Sequence, residues 1–217
     1  MPEFTLAQTI VIAALPVLFA ITVHEVAHGW VAKQLGDPTA DQLGRLTLNP
    51  IKHIDPIGTI LVPLVMIVTL GVAIGWAKPV PVNWQNLHHP KRDMAIVAAA
   101  GPAANLMMAL FWAIIIKIMF SFPGAASGFA QPLIYMAQIG VLINVLLMVF
   151  NLLPIPPLDG GRVAVGLLPN PWSVYLSRIE PYGFFILVGL MLSGVLWFII
   201  RPLQNFVYQI LQFLIGL

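Results

Sequence analysis

Leu6–Leu35 reads LAQTIVIAALPVLFAITVHEVAHGWVAKQL. Its first half carries no charged side chain, and the run exceeds the roughly 20 apolar residues a helix needs to cross a bilayer. Past its middle stands His24-Glu25-Val26-Ala27-His28. A charged side chain near the bilayer centre costs about 2.5–3.5 kcal/mol on insertion scales, so Glu25 between two histidines argues for a use. The bland alternative is a polar cluster that hydrogen-bonds neighbouring helices. On a helix, positions i and i+4 share a face, so both imidazoles can reach one ion. Glu25 lies about 100° further round. In the His-Glu-x-x-His arrangement the glutamate serves as general base towards water at the metal.

The rest of the chain agrees with a membrane setting. Apolar residues make up 59% of the 217 and charged residues 8%, against about 25% charged in soluble domains. No water-facing surface can be built from that, and the scattered Lys and Arg give no nucleic-acid patch. There is no cysteine, which excludes disulfides and thiolate metal sites. The first run lacks a basic flank and a small-residue cleavage site, so it reads as a retained segment rather than a cleaved signal. Further apolar segments are expected over Pro56–Gly75, Met94–Phe120, Leu133–Leu153 and Tyr182–Ile200. The fifth ends at Arg201-Pro202, and Leu203–Leu217 is short of a full span. Ser121–Pro132 is an uncharged linker. Lys78-Pro79-Val80-Pro81-Val82-Asn83 reads as extended chain, because proline disfavours helix before it.

Arg45 and Lys52 lie in the first loop, Lys78, Lys91 and Arg92 in the second, and Arg162 and Arg178 in the fourth; the third has none. The positive-inside rule puts loops one, two and four in the cytoplasm. Pro56–Gly75 then cannot cross once. A re-entrant hairpin, permitted by Pro63 and Gly71, is favoured over failure of the charge rule.

Two histidines leave zinc under-coordinated, since a catalytic site uses three protein ligands and one open position. Of eight acidic residues, six fall in termini or loops. Besides Glu25, only Asp159 directly follows an apolar span, in Asn151-Leu-Leu-Pro-Ile-Pro-Pro-Leu-Asp159-Gly160-Gly161-Arg162. The prolines break the helix and the glycines allow close approach of backbone. A capping aspartate for a helix starting near Gly160 is about equally compatible with the spacing. His53 is more often a polar loop group than a ligand, His88 and His89 read as solvated interface, and Lys117 as a snorkelling anchor.

At these residues the chain resembles the site-2 protease family of intramembrane zinc metalloproteases. The resemblance covers about Ile21–Arg162 and rests on His24–His28, Gly101-Pro102-Ala103-Ala104-Asn105, Asn151, and Leu158-Asp159-Gly160-Gly161. It implies zinc held by His24, His28 and Asp159, with Glu25 as base and Asn151 as a contact for substrate backbone or a developing oxyanion. It also implies that Gly101–Asn105 is a helix-packing turn beside the site, and that Lys78–Asn83 pairs with an unwound substrate. Ala27 stands where many members have glycine, and the Asp55–Gly75 element is absent from shorter members. No PDZ-like or CBS-like region is present, so substrate selection is expected from the membrane core or from partners.

The expectation is one membrane-embedded metalloprotease domain over residues 1–217. Its fold is all-α and polytopic, with about five to six membrane segments, a re-entrant element and a short extended strand. It takes Zn2+, a transmembrane protein or peptide substrate and the lipid bilayer as partners, and no nucleic acid. The setting is a multi-pass protein of a bacterial or archaeal cytoplasmic membrane. The rivals are a metal-binding transporter or sensor, which would spread paired polar residues over several spans, and a catalytically silent homologue.

Overall fold

The computed structural model describes residues 4–70, 75–122 and 130–216. Helix α1 spans Leu6–Gln34 without a break at Pro16. Thr5 caps it: the Thr5 hydroxyl accepts the Gln8 N–H, and the Gln8 side chain accepts the Thr5 N–H. The short α2, Thr39–Gln42, follows. A π-helical turn at Pro56–Leu61 then runs straight into α3, Val62–Leu70. The long α4, Pro90–Phe120, and α5, Gln131–Asn151, pack on each other, and α4 also contacts α1 and α6 (Asp159–Leu167). The chain closes with α7 (Trp172–Ser177), α8 (Gly183–Leu192) and α9 (Val195–Ile215).

Among the described residues, four helical stretches are long and apolar enough to cross a membrane: Ala7–Gln34, Pro90–Phe120, Gln131–Asn151 and Trp172–Leu192. No strand is present among them. The protein is an all-α, multi-pass integral membrane protein.

The Pro56 segment does not cross. The Trp76 N–H donates to the Gly58 carbonyl (3.0 Å) and the Lys78 N–H to the His53 carbonyl (2.9 Å), so the chain comes back beside the point where it left. That return is the geometry a re-entrant hairpin requires. Pro63 is the second residue of α3; the hinge expected at Gly71 lies outside the described residues. Loops one, two and four also share one end of the bundle. Asp37 accepts the Asn83 N–H (2.7 Å), and Lys91 donates to Asn170 (3.1 Å). Lys117 sits at the opposite end. Its ammonium finds the Ile215 carbonyl at the C-terminus of α9, a more specific role than an interfacial anchor.

One expected boundary is wrong. The fifth segment breaks at Gly194, which takes a left-handed φ of 78°, and Arg201 and Pro202 lie inside α9. Glycine pays no Cβ penalty there, whereas Pro202 removes a single ladder hydrogen bond, which a membrane helix tolerates. The last helix is thus 21 residues long, but its Arg201 and interior Asn and Gln residues keep it out of the set apolar enough to cross a membrane.

Candidate metal centre

His24 and His28 project from one face of α1, with their ring planes nearly perpendicular. Asp159 reaches them from the first turn of α6. The chain gets there because α5 ends at Asn151 and residues 152–158 form no helix beyond turns. The two glycines after Asp159 let α6 begin hard against this bend. A Cβ on Gly160 would run into the Leu152 carbonyl, and one on Gly161 into the Pro156 nitrogen. Spacing left capping and ligation even; the structure separates them. Leu158 is the N-cap of α6 and no side-chain cap bond is made, so Asp159 does not cap.

Asp159 Oδ2 lies 3.1 Å from His24 Nε2 and 3.3 Å from His28 Nε2, and the two Nε2 atoms are 3.1 Å apart. Which of these atoms carries a hydrogen follows from the far side of each ring. His28 Nδ1 is 2.7 Å from the Val97 carbonyl, which can only accept. His24 Nδ1 is 2.6 Å from Asn105 Oδ1. Asn105 Nδ2 faces the Ala20 carbonyl (3.2 Å), again an obligate acceptor, so the amide cannot be flipped. Both imidazoles therefore donate from Nδ1, and as neutral rings both turn an Nε2 lone pair towards the other ring and towards a carboxylate oxygen. Asp159 Oδ2 is buried with no donor to satisfy it.

Three acceptors this close repel unless a proton or a metal ion sits among them. Tetrahedral ligands about 2.1 Å from zinc stand roughly 3.4 Å apart, close to the spacing found. Two imidazoles and a carboxylate are also a zinc donor set, and they leave a fourth position for water or substrate. These residues fit a zinc ion. Among the described residues, His24, His28 and Asp159 are the one group of His, Cys, Asp and Glu close enough to hold a metal.

Gly101 of α4 makes the close packing possible: a Cβ there would press on His28 Nε2 and on both Cε1 atoms. Glu25 is half-buried, and its Oε2 accepts the Val80 N–H at 2.8 Å. The expected extended segment is held at several points. Besides Glu25 and His53, Arg45 donates to the Lys78 carbonyl (3.0 Å), and Asp37 accepts the Asn83 N–H. Asp37 is fully buried. Burial alone would push its carboxyl up, but donors from the Thr39 hydroxyl, Asn86, Asn83 and the Thr39 amide outweigh that and hold it below the ordinary range.

The other candidates make contacts of their own. Asn151 is the last residue of α5, and its Nδ2 donates to the Leu147 carbonyl (2.9 Å). His53 is buried, with Nε2 against the Thr47 carbonyl (2.9 Å), and belongs to the loop. His88 and His89 are exposed. Sequence reasoning took Asn105 only as part of a packing turn, and passed over Asn144 and Val80. The signal for Asn144 was available: an amide within an apolar span, one heptad before Asn151 on the same helix face.

The model of peptidase family M50 matches residues 116–194, which include Asp159 but not α1. YwhC of Bacillus subtilis, a candidate zinc metalloprotease by its name, is 36% identical over 189 residues, covering 87% of this chain and 83% of its own. Rip2 of Mycolicibacterium smegmatis, named in the same way, is 32% identical over 83% of this chain and 67% of its own. Rip2 of Mycobacterium tuberculosis is 26% identical over the same shares. No solved structure matches the chain with significance.

Proposed function

This chain belongs to peptidase family M50 and is a zinc metalloprotease of the site-2 protease type, and from that premise we propose that His24, His28 and Asp159 hold the zinc while Glu25 is the general base. The observation that carries the reading is the convergence of two Nε2 atoms and one carboxylate oxygen to within 3.3 Å of one another.

Zinc bound there supplies a Lewis acid that acidifies water towards neutrality and polarises a scissile carbonyl. The chain's own residues do the rest. Glu25 Oε2 is held by the Val80 N–H, which leaves Oε1 to take a proton from the attacking water and deliver it to the leaving amine. Asp159 and the two imidazoles stay deprotonated on their inner atoms, because Val97 and Asn105 keep the ring hydrogens on the outer nitrogens. Asn151 is the proposed oxyanion donor: its Nδ2 gives one hydrogen to the Leu147 carbonyl and has a second to offer.

The substrate class is a transmembrane protein segment. Its helix must unwind, because helical carbonyls are hydrogen-bonded and shielded from attack. The site lies on the half of α1 nearer the charged loops, so cleavage falls towards that face, which the charge rule makes the cytoplasmic one. A bacterial cytoplasmic membrane suits this reading and the bacterial relatives.

The test is metal analysis of the purified protein. Wild type is expected to hold one zinc, and His24→Ala, His28→Ala and Asp159→Ala to lose it. Glu25→Gln should keep zinc and lose cleavage of a transmembrane peptide; turnover by that variant would remove Glu25 from the mechanism.

A further inference from the structure

Asn105 and Asn144 lie on α4 and α5, and both are fully buried. Amides deep in a membrane bundle commonly glue helices together. Here they also form a chain that ends on a zinc ligand, and the direction of each bond in it is forced. Asn144 Nδ2 faces the carbonyl of Gly140 (2.8 Å), which can only accept. Asn144 therefore turns its Oδ1 to Asn105 Nδ2 (2.9 Å). The Ala20 carbonyl takes the other hydrogen of Asn105. Only Asn105 Oδ1 remains for His24. The helix spacing that allows this is set one turn away, where Gly140 lies under the Trp112 ring and a Cβ would run into it.

We propose that Asn144 is a positioning residue for the metal: acting through Asn105, it holds His24 with its hydrogen on Nδ1 and its lone pair on Nε2. The inference rests on His24 being a zinc ligand. A flipped Asn105 amide would present Nδ2 to His24, favour a lone pair on Nδ1 and put a hydrogen where the ion belongs. In that orientation Asn105 Oδ1 would face two acceptors, Asn144 Oδ1 and the Ala20 carbonyl. Asn144 thus supplies one of the two acceptors that enforce the orientation, and the Ala20 carbonyl, at a longer distance, the other. Helix α5 offers no ligand at this level, yet it sets how well α1 binds metal.

The experiment is a double-mutant cycle on zinc affinity, measured on the purified full chain by competition with a chromophoric chelator. Asn105→Ala should weaken zinc binding by about 10–100-fold, and Asn144→Leu by about tenfold, the range found for lost outer-shell partners. The double variant should bind no more weakly than Asn105→Ala alone, because Asn144 has no other route to His24. Asn144→Asp keeps an acceptor towards Asn105 and should stay near wild type. In the zinc-free protein, nitrogen-15 shifts of the imidazoles should show one tautomer at His24 in wild type and a mixture in Asn144→Leu. Effects that multiply in the double variant, or wild-type affinity in Asn144→Leu, would reduce Asn144 to helix packing and overturn the proposal. Should Asn144→Leu not fold, an Asn144→Asp protein with zinc affinity as poor as Asn105→Ala would overturn it equally. Wild-type protein that binds no zinc, or His28→Ala binding as tightly as wild type, would instead sink the metal-site reading itself.

Discussion

Replacing Gly101 by alanine puts a methyl group into the contact between α4 and the two imidazoles. Its Cβ would stand 2.5 Å from His24 Cε1 and 2.6 Å from His28 Cε1, and it would also press on His28 Nε2. Carbon atoms pack at about 3.5–4.0 Å, so roughly 1 Å must be found. Helix α4 cannot withdraw freely. Val97 and Asn105, one turn to either side of Gly101, hold His28 and His24 at 2.7 and 2.6 Å. A retreat of about 1 Å would stretch both bonds beyond hydrogen-bond range. If the rings turn instead, their Nε2 atoms leave positions that a metal tolerates to within about 0.2 Å. Overpacking of this kind costs about 1–3 kcal/mol, and strain relaxed in the zinc-free protein must be restored when zinc binds. At 1.4 kcal/mol per factor of ten, the zinc Kd of Gly101→Ala should rise roughly tenfold to a hundredfold. The assay is chelator competition, run beside thermal unfolding with and without zinc. Gly189→Ala is the control: its Cβ would meet nothing within 4 Å, and no loss of affinity is expected. Wild-type zinc affinity in Gly101→Ala would refute the claim that α4 sets the ligand geometry.

Val80→Pro removes the N–H that holds Glu25 Oε2; kcat on a transmembrane peptide should fall about tenfold or more, with zinc content and KM unchanged, while Val80→Ala keeps the N–H and most of kcat. The carboxyl of Asp37 is depressed from its ordinary value of 3.8. Its stabilisation is therefore complete above that value and lost as pH falls through the lower folded one. Asp37→Asn should cost about 1–3 kcal/mol near neutrality, and the gap to wild type in pH-dependent unfolding should close only below pH 4; a gap that grows on acidification would contradict the assignment.

Composition and periodicity were enough to determine a helical membrane protein. No arrangement of a chain with 8% charged residues presents a polar surface to water, and a helix satisfies its own backbone in lipid. The His24–His28 pair was equally legible, because both residues belong to one helix and local geometry alone aligns i with i+4. The loop charges also told which connections share a face. They could not say where the Pro56 segment ends up; pairing of Trp76 and Lys78 with Gly58 and His53 brings its two ends together. The Arg201-Pro202 pair read as the end of the fifth segment, but the local cost of one missing hydrogen bond was small and Gly194 turned the chain first.

What the sequence could not reach was every relation between residues far apart along it. Whether Asp159 caps α6 or meets the histidines depends on where the bend at residues 152–158 points, and spacing says nothing of direction. The hydrogens on His24 and His28 are assigned by Asn105, which the sequence offered only as part of a packing turn, and by Val97, Ala20 and Gly140, which act through main-chain carbonyls that a linear reading cannot see. Local physics determined the membrane helices and offered two ligands. Packing of α4, α5 and α6 against α1 decided that a third acceptor lies within 3.3 Å of both, an arrangement that suits a metal ion.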